Sequence, residues 1–271
     1  MQYVRPISCY KLLSKRQPTY FYMMSISVGI CYDRPEDYPL AVGPDDRFAE
    51  FEPETTIEAM EAAISMLDLL PVRIGAPAEL LDRKYLDVVW NIAEGFGSRN
   101  REAWAPVLCE MHGIPLIGSD AHTLSISLDK ELSKRIASSL RIPTANWQLA
   151  TAIPKADHIQ LRYPILLKPN YEGTAKGIST SSICQDYDSL KTRLSSMLSD
   201  YAQPVLMEEF LPGPEYTLAF RGTPLKALPV LERSLHPSGL GSHVVAMDKN
   251  YPEVQTFGLP SREMEQQMTD W

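Results

Sequence analysis

Residues 168–178 of this 271-residue chain read KPNYEGTAKGI and follow an apolar run, Ile165–Leu167, that predicts a buried β-strand. The strand ends in a lysine, and the loop after it carries two glycines, a hydroxyl and a second lysine. Such a loop can surround phosphate oxygens with backbone amides and positive charge. It lacks the G-x-x-x-x-G-K-[ST] pattern of a Walker A loop. Taken alone, the segment fits better to a hairpin whose lysines are solvated.

A second informative segment, residues 207–217, reads MEEFLPGPEYT. Adjacent carboxylates end a predicted strand, a Pro/Gly turn follows, and a further carboxylate enters the next strand. A hinge of this kind can offer backbone groups to a purine edge and a carboxylate to ribose hydroxyls. The alternative is an exposed acidic turn. Together the two segments favour a nucleotide site.

The first 120 residues alternate strand-like and helix-like patterns. Thr55–Glu58 predicts a capping box that begins the first helix, and Gly113 predicts the end of another. Strands that are apolar on both faces and alternate with helices indicate a parallel sheet. We predict strands at 26–32, 72–75, 86–90 and 115–117, and helices after Thr55, at 78–81 and at 101–112.

The pattern changes beyond residue 120. One long helix is predicted over 125–140, and strands at 165–168, 205–208 and 216–220 follow, with a helix at 187–198. This order is typical of an α+β domain. The predicted fold is therefore α/β, with a basic and disordered extension at 1–23, an N-terminal parallel-sheet domain at 24–121 and a second domain at 122–271.

Charge and hydropathy exclude two classes of function. The formal net charge is −8, whereas nucleic-acid binders usually have a basic surplus. The sequence contains no run of 18 apolar residues, so no membrane span is predicted. Residues 33–61, which we call the acidic segment, carry ten acids and two arginines, a net charge of 2 − 10 = −8 that equals the total.

The first residues and the cysteines bear on processing and location. Residues 1–23 contain basic residues and no acid, and we expect a disordered tail or a natural start at Met23 or Met24. The four cysteines are widely spaced, which suggests neither a zinc site nor a disulfide framework. Their use is typical of a reducing compartment, and we expect the cytoplasm.

With these segments in order, the sequence resembles the D-alanine:D-alanine ligases of the ATP-grasp superfamily. The resemblance runs from about Ser27 to Lys249. Each segment is weakly specific by itself, but their order and spacing are specific together. They are WNIAEG at 90–95, GIPLIGS at 113–119, Leu128-Asp129-Lys130 with Lys134-Arg135, Ile142-Pro143-Thr144, and the two segments described above.

The resemblance implies a parallel-sheet domain followed by an incomplete ATP-grasp domain, with ATP as cofactor. It also implies a reaction in which a carboxylate attacks the γ-phosphate of ATP and an amine then displaces phosphate from the acyl phosphate. Amino acids or other carboxylates are the implied partners, and a homodimer is possible. The resemblance assigns phosphate contacts to Lys130 and Lys168, and a mobile loop over the phosphates to Glu172, Gly173, Thr174, Ala175 and Gly177. It assigns adenine contacts to Glu208, Glu209, Phe210 and Leu211, and a ribose contact to Glu215. The implied catalytic residues are Lys168, Thr174 and Lys176.

Departures from the family concentrate in the part that binds amino acids. Glu94 stands where the family usually has histidine, and Arg99 and Arg101 enter the same loop. We predict that these three residues contact the substrate. Thr174-Ala175 replaces the usual Ser-Ser pair. The changes leave the nucleotide part intact and favour substrates other than D-alanine.

The family's magnesium ligands, an acid on one strand and a Glu-x-Asn on the next, have no counterpart after Phe220. We therefore predict no metal ligand in this chain and expect the Mg2+ ligands beyond its end. The leading hypothesis is a truncated, inactive piece of an ATP-dependent dipeptide ligase. The alternatives are an ATP-grasp ligase for other substrates and a non-catalytic nucleotide-binding remnant.

Overall fold

The computed structural model describes residues 25–83, 85–213, 215–221, 224, 226–233 and 257–258. The basic extension predicted at 1–23 lies outside the described residues, as do most of the acids after Phe220. Within the described ranges, no helix has the length and apolar character needed to cross a bilayer.

The first sheet is parallel and has the strand order β2-β1-β3-β4. Apolar side chains of α1 cover one face, where Ile57, Met60 and Ile64 pack on β1, and α2 covers the other face with Ala105 and Cys109. Gly113 ends α2 in the left-handed conformation, as its position predicts. The elements are β1 (Ser27–Cys31), α1 (Glu54–Ser65), β2 (Leu70–Gly75), β3 (Val88–Asn91), α2 (Trp104–His112) and β4 (Leu116–Ile117).

The second sheet is antiparallel and has the order β5-β8-β6-β7. Leu190, Leu194 and Met197 of α5 are fully buried against Ile165 and Leu167 of β6. The elements are α3 (Ala121–Leu128), α4 (Lys130–Ser139), β5 (Trp147–Ala150), β6 (Ile165–Pro169), β7 (Ile183–Cys184), α5 (Tyr187–Tyr201) and β8 (Val205–Glu209).

Short strands follow the second sheet. β12 pairs antiparallel with β9 and β13, and β10 pairs with β11. These strands are β9 (Glu215–Thr217), β10 (Phe220–Arg221), β11 (Lys226–Ala227), β12 (Leu231–Arg233) and β13 (Phe257–Gly258). A parallel sheet followed by a separate antiparallel one is the α/β organisation predicted from the sequence. The domain limits at 121/122 stay a prediction.

The predicted capping box at Thr55–Glu58 is wrong. Helix α1 begins earlier, at Glu54, and Pro53 is its N-cap residue in an extended conformation. Thr55 therefore lies inside the helix, and no side chain caps the first amides. Proline fixes φ near the helical value and has no amide to satisfy, so a helix can begin directly after it.

The single helix predicted over 125–140 is also wrong, because the chain breaks at Asp129 into α3 and α4. Asp129 is extended, with φ −83° and ψ 96°, and its carboxylate accepts the amide of Leu132 at 3.1 Å as an N-cap. The same oxygen accepts the side-chain amide of Asn170 at 2.8 Å. The break places Lys130 in the first turn of α4, beside the end of β6.

Candidate functional site

Three lysines from different parts of the chain line one cavity. Lys168 lies on β6, Lys130 begins α4, and Lys176 lies in the glycine-rich loop, which we define as residues 172–177. The cavity has a volume of about 330 Å3, and Leu166 and Ile178 give it an apolar wall. We call it the lysine cavity. The structure thus brings together the three lysines that the sequence singled out.

Asn170 fixes two of these lysines relative to each other. It is 1% exposed, its carbonyl accepts the amide of Lys130 at 3.2 Å, and its side-chain oxygen accepts the amide of Glu131 at 3.0 Å. These bonds tie the residues after β6 to the start of α4. The sequence alone suggests no role for Asn170, although this residue comes directly after the strand that carries Lys168.

The glycine-rich loop has an unusual backbone. Thr174 and Ala175 have φ of 44° and 54°, a left-handed region that costs a non-glycine residue on the order of 1–2 kcal/mol. Gly177 has φ 73°, and a Cβ there would lie 2.8 Å from Cγ of Pro169 and 2.9 Å from Cζ of Tyr201. Lys176 is only 5% exposed. A hairpin with solvated lysines, the alternative raised from the sequence, does not describe this loop.

Two carboxylates of the acidic segment hold the glycine-rich loop. Glu50 is 7% exposed and accepts the amide of Gly173 at 2.6 Å, and it pairs with Lys176 at 2.9 Å. Asp46 accepts the amide of Gly177 at 2.8 Å and the hydroxyl of Tyr201 at 2.7 Å. Amides and a lysine that could bind phosphate oxygens therefore bind carboxylate oxygens here. The sequence shows that acidic residues concentrate in this segment, but it does not show that Glu50 and Asp46 are the ones that contact the loop.

Arg101 lies behind Glu50 and is 3% exposed. It pairs with Glu50 at 3.0 Å and Glu172 at 3.5 Å, and it donates to the carbonyl of Glu94 at 2.8 Å. Its bonds are therefore made within the protein. Arg99, by contrast, is exposed and lies over the ring of Tyr171, 5.7 Å from its centroid. The substrate roles of Arg99, Arg101 and Glu94 stay predictions.

Burial and charge shift the pKa values of this network. Burial opposes ionisation of Glu50, but Arg101 and Lys176 outweigh it and lower the pKa of that carboxyl. Burial, together with the charge of Lys168, lowers the pKa of Lys130 to about 8. The lysine cavity is thus an electropositive place where an anion would favour the protonated form of Lys130.

Glu94 and Glu102 form a pair of carboxyls with raised pKa values. Burial is the main cause for both, and the charges of Glu102 and Glu50 contribute to raising the pKa of Glu94 to about 8. Oxygens of Glu50, Glu94 and Glu102 lie within 4.8 Å of one another, a spacing that a cation could occupy. Arg101 already provides positive charge at this cluster, with its guanidinium 3.0 Å from Glu50, 3.9 Å from Glu94 and 3.8 Å from Glu102.

The raised pKa of Glu94 predicts a pH dependence of stability. Glu94 keeps its proton up to about pH 8 in the folded state but releases it near pH 4.5 in the unfolded state. The stability that the protonated carboxyl contributes is therefore fully present below pH 4.5 and is lost as pH rises through about 8. Glu94→Gln should flatten the decline of Tm between pH 5 and 8, measured by thermal unfolding. Glu58→Gln, at an exposed carboxyl of α1, is the control. An unchanged slope in Glu94→Gln would contradict the assignment.

The predicted adenine hinge adjoins the lysine cavity. Glu208 pairs with Lys168 and, at 3.0 Å, with Lys134. Although burial opposes its ionisation, these two lysines lower its pKa. Glu209 pairs with Arg162 at 2.8 Å, which contributes to lowering its pKa to about 2. Both carboxylates therefore bind cations of the protein.

The remaining hinge residues differ in their surroundings. Phe210 donates its amide to the carbonyl of Pro164 at 2.9 Å and packs against Leu166, Ile183 and Ile178. Leu166 and Ile178 of this group also line the lysine cavity, so the group lies behind its apolar wall. Leu211 is 68% exposed, and Glu215 begins β9.

Comparisons with known proteins place the chain beside one family. No family model matches it. It is 31% identical to a D-alanine–D-alanine ligase of Marinomonas sp. over 45% of this chain and 38% of the relative. It is 28% identical to one of Gloeobacter violaceus over 61% and 53%. An uncharacterised protein of Sinorhizobium fredii is 28% identical over 55% and 43%. The chain thus matches about half the length of these curated relatives.

Solved structures show the same fold. The D-alanine–D-alanine ligase of Bacillus anthracis complexed with ATP superposes with a TM-score of 0.58 at 20% identity, over 79% of this chain and 67% of that one. The D-alanyl-alanine synthetase A of Vibrio cholerae gives 0.61 at 12% identity, over 92% and 79%. The resemblance and the fold predicted from the sequence are both confirmed.

Proposed function

We propose that this chain is a divergent and partial member of the D-alanine–D-alanine ligase group of ATP-grasp proteins. It carries the nucleotide-binding part of an ATP-dependent carboxylate–amine ligase. The observation that supports this proposal most strongly is the convergence of Lys130, Lys168 and Lys176 on one cavity beside the glycine-rich loop. Three cations in a confined space are suited to a polyphosphate rather than to a neutral ligand.

The two sides of the lysine cavity suit the two ends of a nucleotide. The lysines and the amides of Gly173 and Gly177 are donors for phosphate oxygens. Leu166 and Phe210 belong to the apolar group next to the hinge, where a base could stack. For the loop amides to reach phosphate, the carboxylates of Glu50 and Asp46 must first be displaced from them.

In the proposed reaction, a carboxylate oxygen bonds to the γ-phosphorus and the bond to ADP breaks. An amine then bonds to the carbonyl carbon of the acyl phosphate, which loses phosphate, and the amine loses a proton. Lys168 and Lys176 would neutralise the charge that repels a carboxylate from the triphosphate, and Thr174 would place its hydroxyl at the loop tip. The product is an amide, a dipeptide where both substrates are amino acids.

Mg2+ is the metal that this fold family implies, and it would polarise the phosphate oxygens. In the part of the chain that the structure describes, Glu50, Glu94 and Glu102 form the one carboxylate cluster with suitable spacing. Arg101 and Lys176 already bind Glu50, so this cluster does not fit the metal of phosphoryl transfer. We propose that the Mg2+ ligands are supplied from outside the described residues.

Calorimetric titration of the chain with ATP, ADP and AMP tests the proposal. We expect ATP and ADP to bind and AMP to bind at least about tenfold more weakly, because AMP lacks the phosphates that the lysines would contact. Binding should persist in EDTA, since the lysines supply positive charge without a metal. Equal affinity for ATP and AMP, or no binding of either, would contradict the proposal.

A ligase for substrates other than D-alanine is a second candidate. The observation that favours it is the loop around Glu94, where a carboxyl with a pKa of about 8 and the exposed Arg99 stand in place of the family pattern. These residues alter the charge available to an amino-acid substrate while the lysine cavity is unaffected. A longer chain assayed for ADP release over pairs of amino acids separates the two candidates.

A further inference from the structure

A second cavity lies on the other side of Glu172 and Lys176, which line both cavities. Its volume is about 340 Å3, which is near the small end of ligand pockets and fits a molecule the size of an amino acid. Arg47, Arg99 and Phe96 are among its lining residues. We call it the arginine cavity. Apart from Glu172 and Lys176, no residue assigned to the nucleotide lines it.

Arg47 brings to this cavity a guanidinium that is only partly hydrogen-bonded. Its Nε is buried and has no hydrogen-bond partner among the described residues. Its one recorded bond joins Nη1 to the carbonyl of Pro44 at 3.3 Å, and the guanidinium lies 4.9 Å from the ring centroid of Phe48. An anion seated in the cavity would give this guanidinium the charged acceptor that it lacks among the described residues.

Arg99 brings a second guanidinium, oriented by stacking over Tyr171. Neither Arg47 nor Arg99 has a carboxylate within ion-pair distance in the part of the chain that the structure describes, although the chain has an excess of acids. Five other arginines do have such partners, whereas Arg83, Arg141 and Arg193 lie outside the cavity and have none among the described residues. The five pairs are Arg34 with Asp37, Arg73 with Glu61, Arg101 with Glu50, Arg135 with Glu131 and Arg162 with Glu209.

The other charges of the cavity narrow the class of anion. Glu172 and Asp200 also line it, and its two other cations, Arg101 and Lys176, are already paired with Glu50 and Glu172. A multiply charged phosphate would therefore meet repulsion that a carboxylate meets less. A guanidinium fork matches the two oxygens of a carboxylate. The carboxylate that reacts with ATP must lie beside the lysines, on the far side of Lys176. A carboxylate in the arginine cavity is therefore a different one.

We propose that the arginine cavity binds the second carboxylate of a dicarboxylic substrate, such as an acidic amino acid, through Arg47 and Arg99. The identification of this ligand as a substrate rests on the proposed ligase function, whereas the binding itself does not. Phe96 supplies an apolar wall for the methylene groups of such a molecule. Glu172 and Lys176 line both cavities, so a ligand held there lies next to the lysine cavity, where the reacting carboxylate would be.

Titration of the 271-residue chain with glutamate and with glutamine, each as both enantiomers and without nucleotide, tests this inference. The two amino acids have nearly the same shape and differ by one charge. We expect one enantiomer of glutamate to bind at least about tenfold more tightly than the corresponding glutamine. Arg47→Gln and Arg99→Gln should each remove most of that preference, and Arg47→Lys should restore part of it.

Arg83→Gln is the matched control, because Arg83 is exposed and lines neither cavity. It should keep the preference for glutamate. Arg99 is exposed, so its variant should fold even if that of Arg47 does not. Equal binding of glutamate and glutamine, or a preference unchanged in Arg99→Gln, overturns the inference. Tighter binding of inorganic phosphate than of glutamate overturns the ligand class. ATP titrated in parallel reports the proposed function separately.

Discussion

Lys168→Ala is expected to weaken ATP binding by about tenfold to about a hundredfold, and to lower ATP turnover by orders of magnitude in a longer chain that carries the metal ligands. Lys168 lies at the lysine cavity with its side chain 26% exposed, so its ammonium can reach a ligand. Loss of one hydrogen bond to a charged group costs about 1.5–3 kcal/mol, which corresponds to that range of affinity. Calorimetric titration with ATP measures it.

The fold should survive this substitution. Glu208 loses Lys168 as a partner but keeps Lys134 at 3.0 Å, so its buried carboxylate is not left without a cation. Lys191→Ala, at an exposed site of α5, removes the same charge far from the cavity and should leave ATP affinity unchanged. If Lys168→Ala binds ATP as the parent chain does, Lys168 does not contact phosphate.

Glu50→Ala is expected to reduce the free energy of unfolding by about 3–5 kcal/mol, because it removes the more deeply buried of the two carboxylates, Glu50 and Glu172, that pair with both Arg101 and Lys176. The side chains of Arg101 and Lys176 are only 4% and 6% exposed, and that of Glu50 is 2% exposed. The amide of Gly173 also loses its acceptor. Urea denaturation, with the slope of the transition compared between variants, measures the change.

Two further variants separate charge from shape at this position. Glu50→Gln keeps an acceptor oxygen but removes the charge, and it should fall between the parent and Glu50→Ala. Glu58→Ala, at an exposed carboxyl of α1, should stay within about 0.5 kcal/mol of the parent. A loss below about 1 kcal/mol in Glu50→Ala would mean that Glu172 neutralises both cations without Glu50.

The parts of the fold that sequence could predict are those with local signals. The strand at 86–90 is apolar on both faces and proved to lie within the parallel sheet as β3, and residues 168–178 carry the lysines and glycines of the loop within a few positions. Asp129 had a local signal too. It precedes a helical pattern as an N-cap residue does, but Leu128 and Leu132 continue the same apolar face across it and conceal the break.

The contacts that sequence could not predict join distant positions. Glu50 bonds to Gly173 and Lys176 across 123 and 126 residues, and Asp46 bonds to Gly177 across 131. Ten acids in the acidic segment share the same local character, and only the three-dimensional arrangement distinguishes Glu50 and Asp46 from the rest. The sequence does not show for the same reason that Arg47 has no carboxylate partner among the described residues, because paired and unpaired arginines have the same sequence signal.

The bonds of Asn170 divide the three lysines into a fixed pair and a movable partner. Lys130 and Lys168 are attached to the same buried amide junction, so their spacing does not change when the glycine-rich loop moves. Lys176 travels with the loop and is restrained by Glu50. A polyanion therefore first binds at Lys130 and Lys168, and this attraction weakens as ionic strength rises. Lys176 contacts the polyanion only after its ion pair with Glu50 has broken.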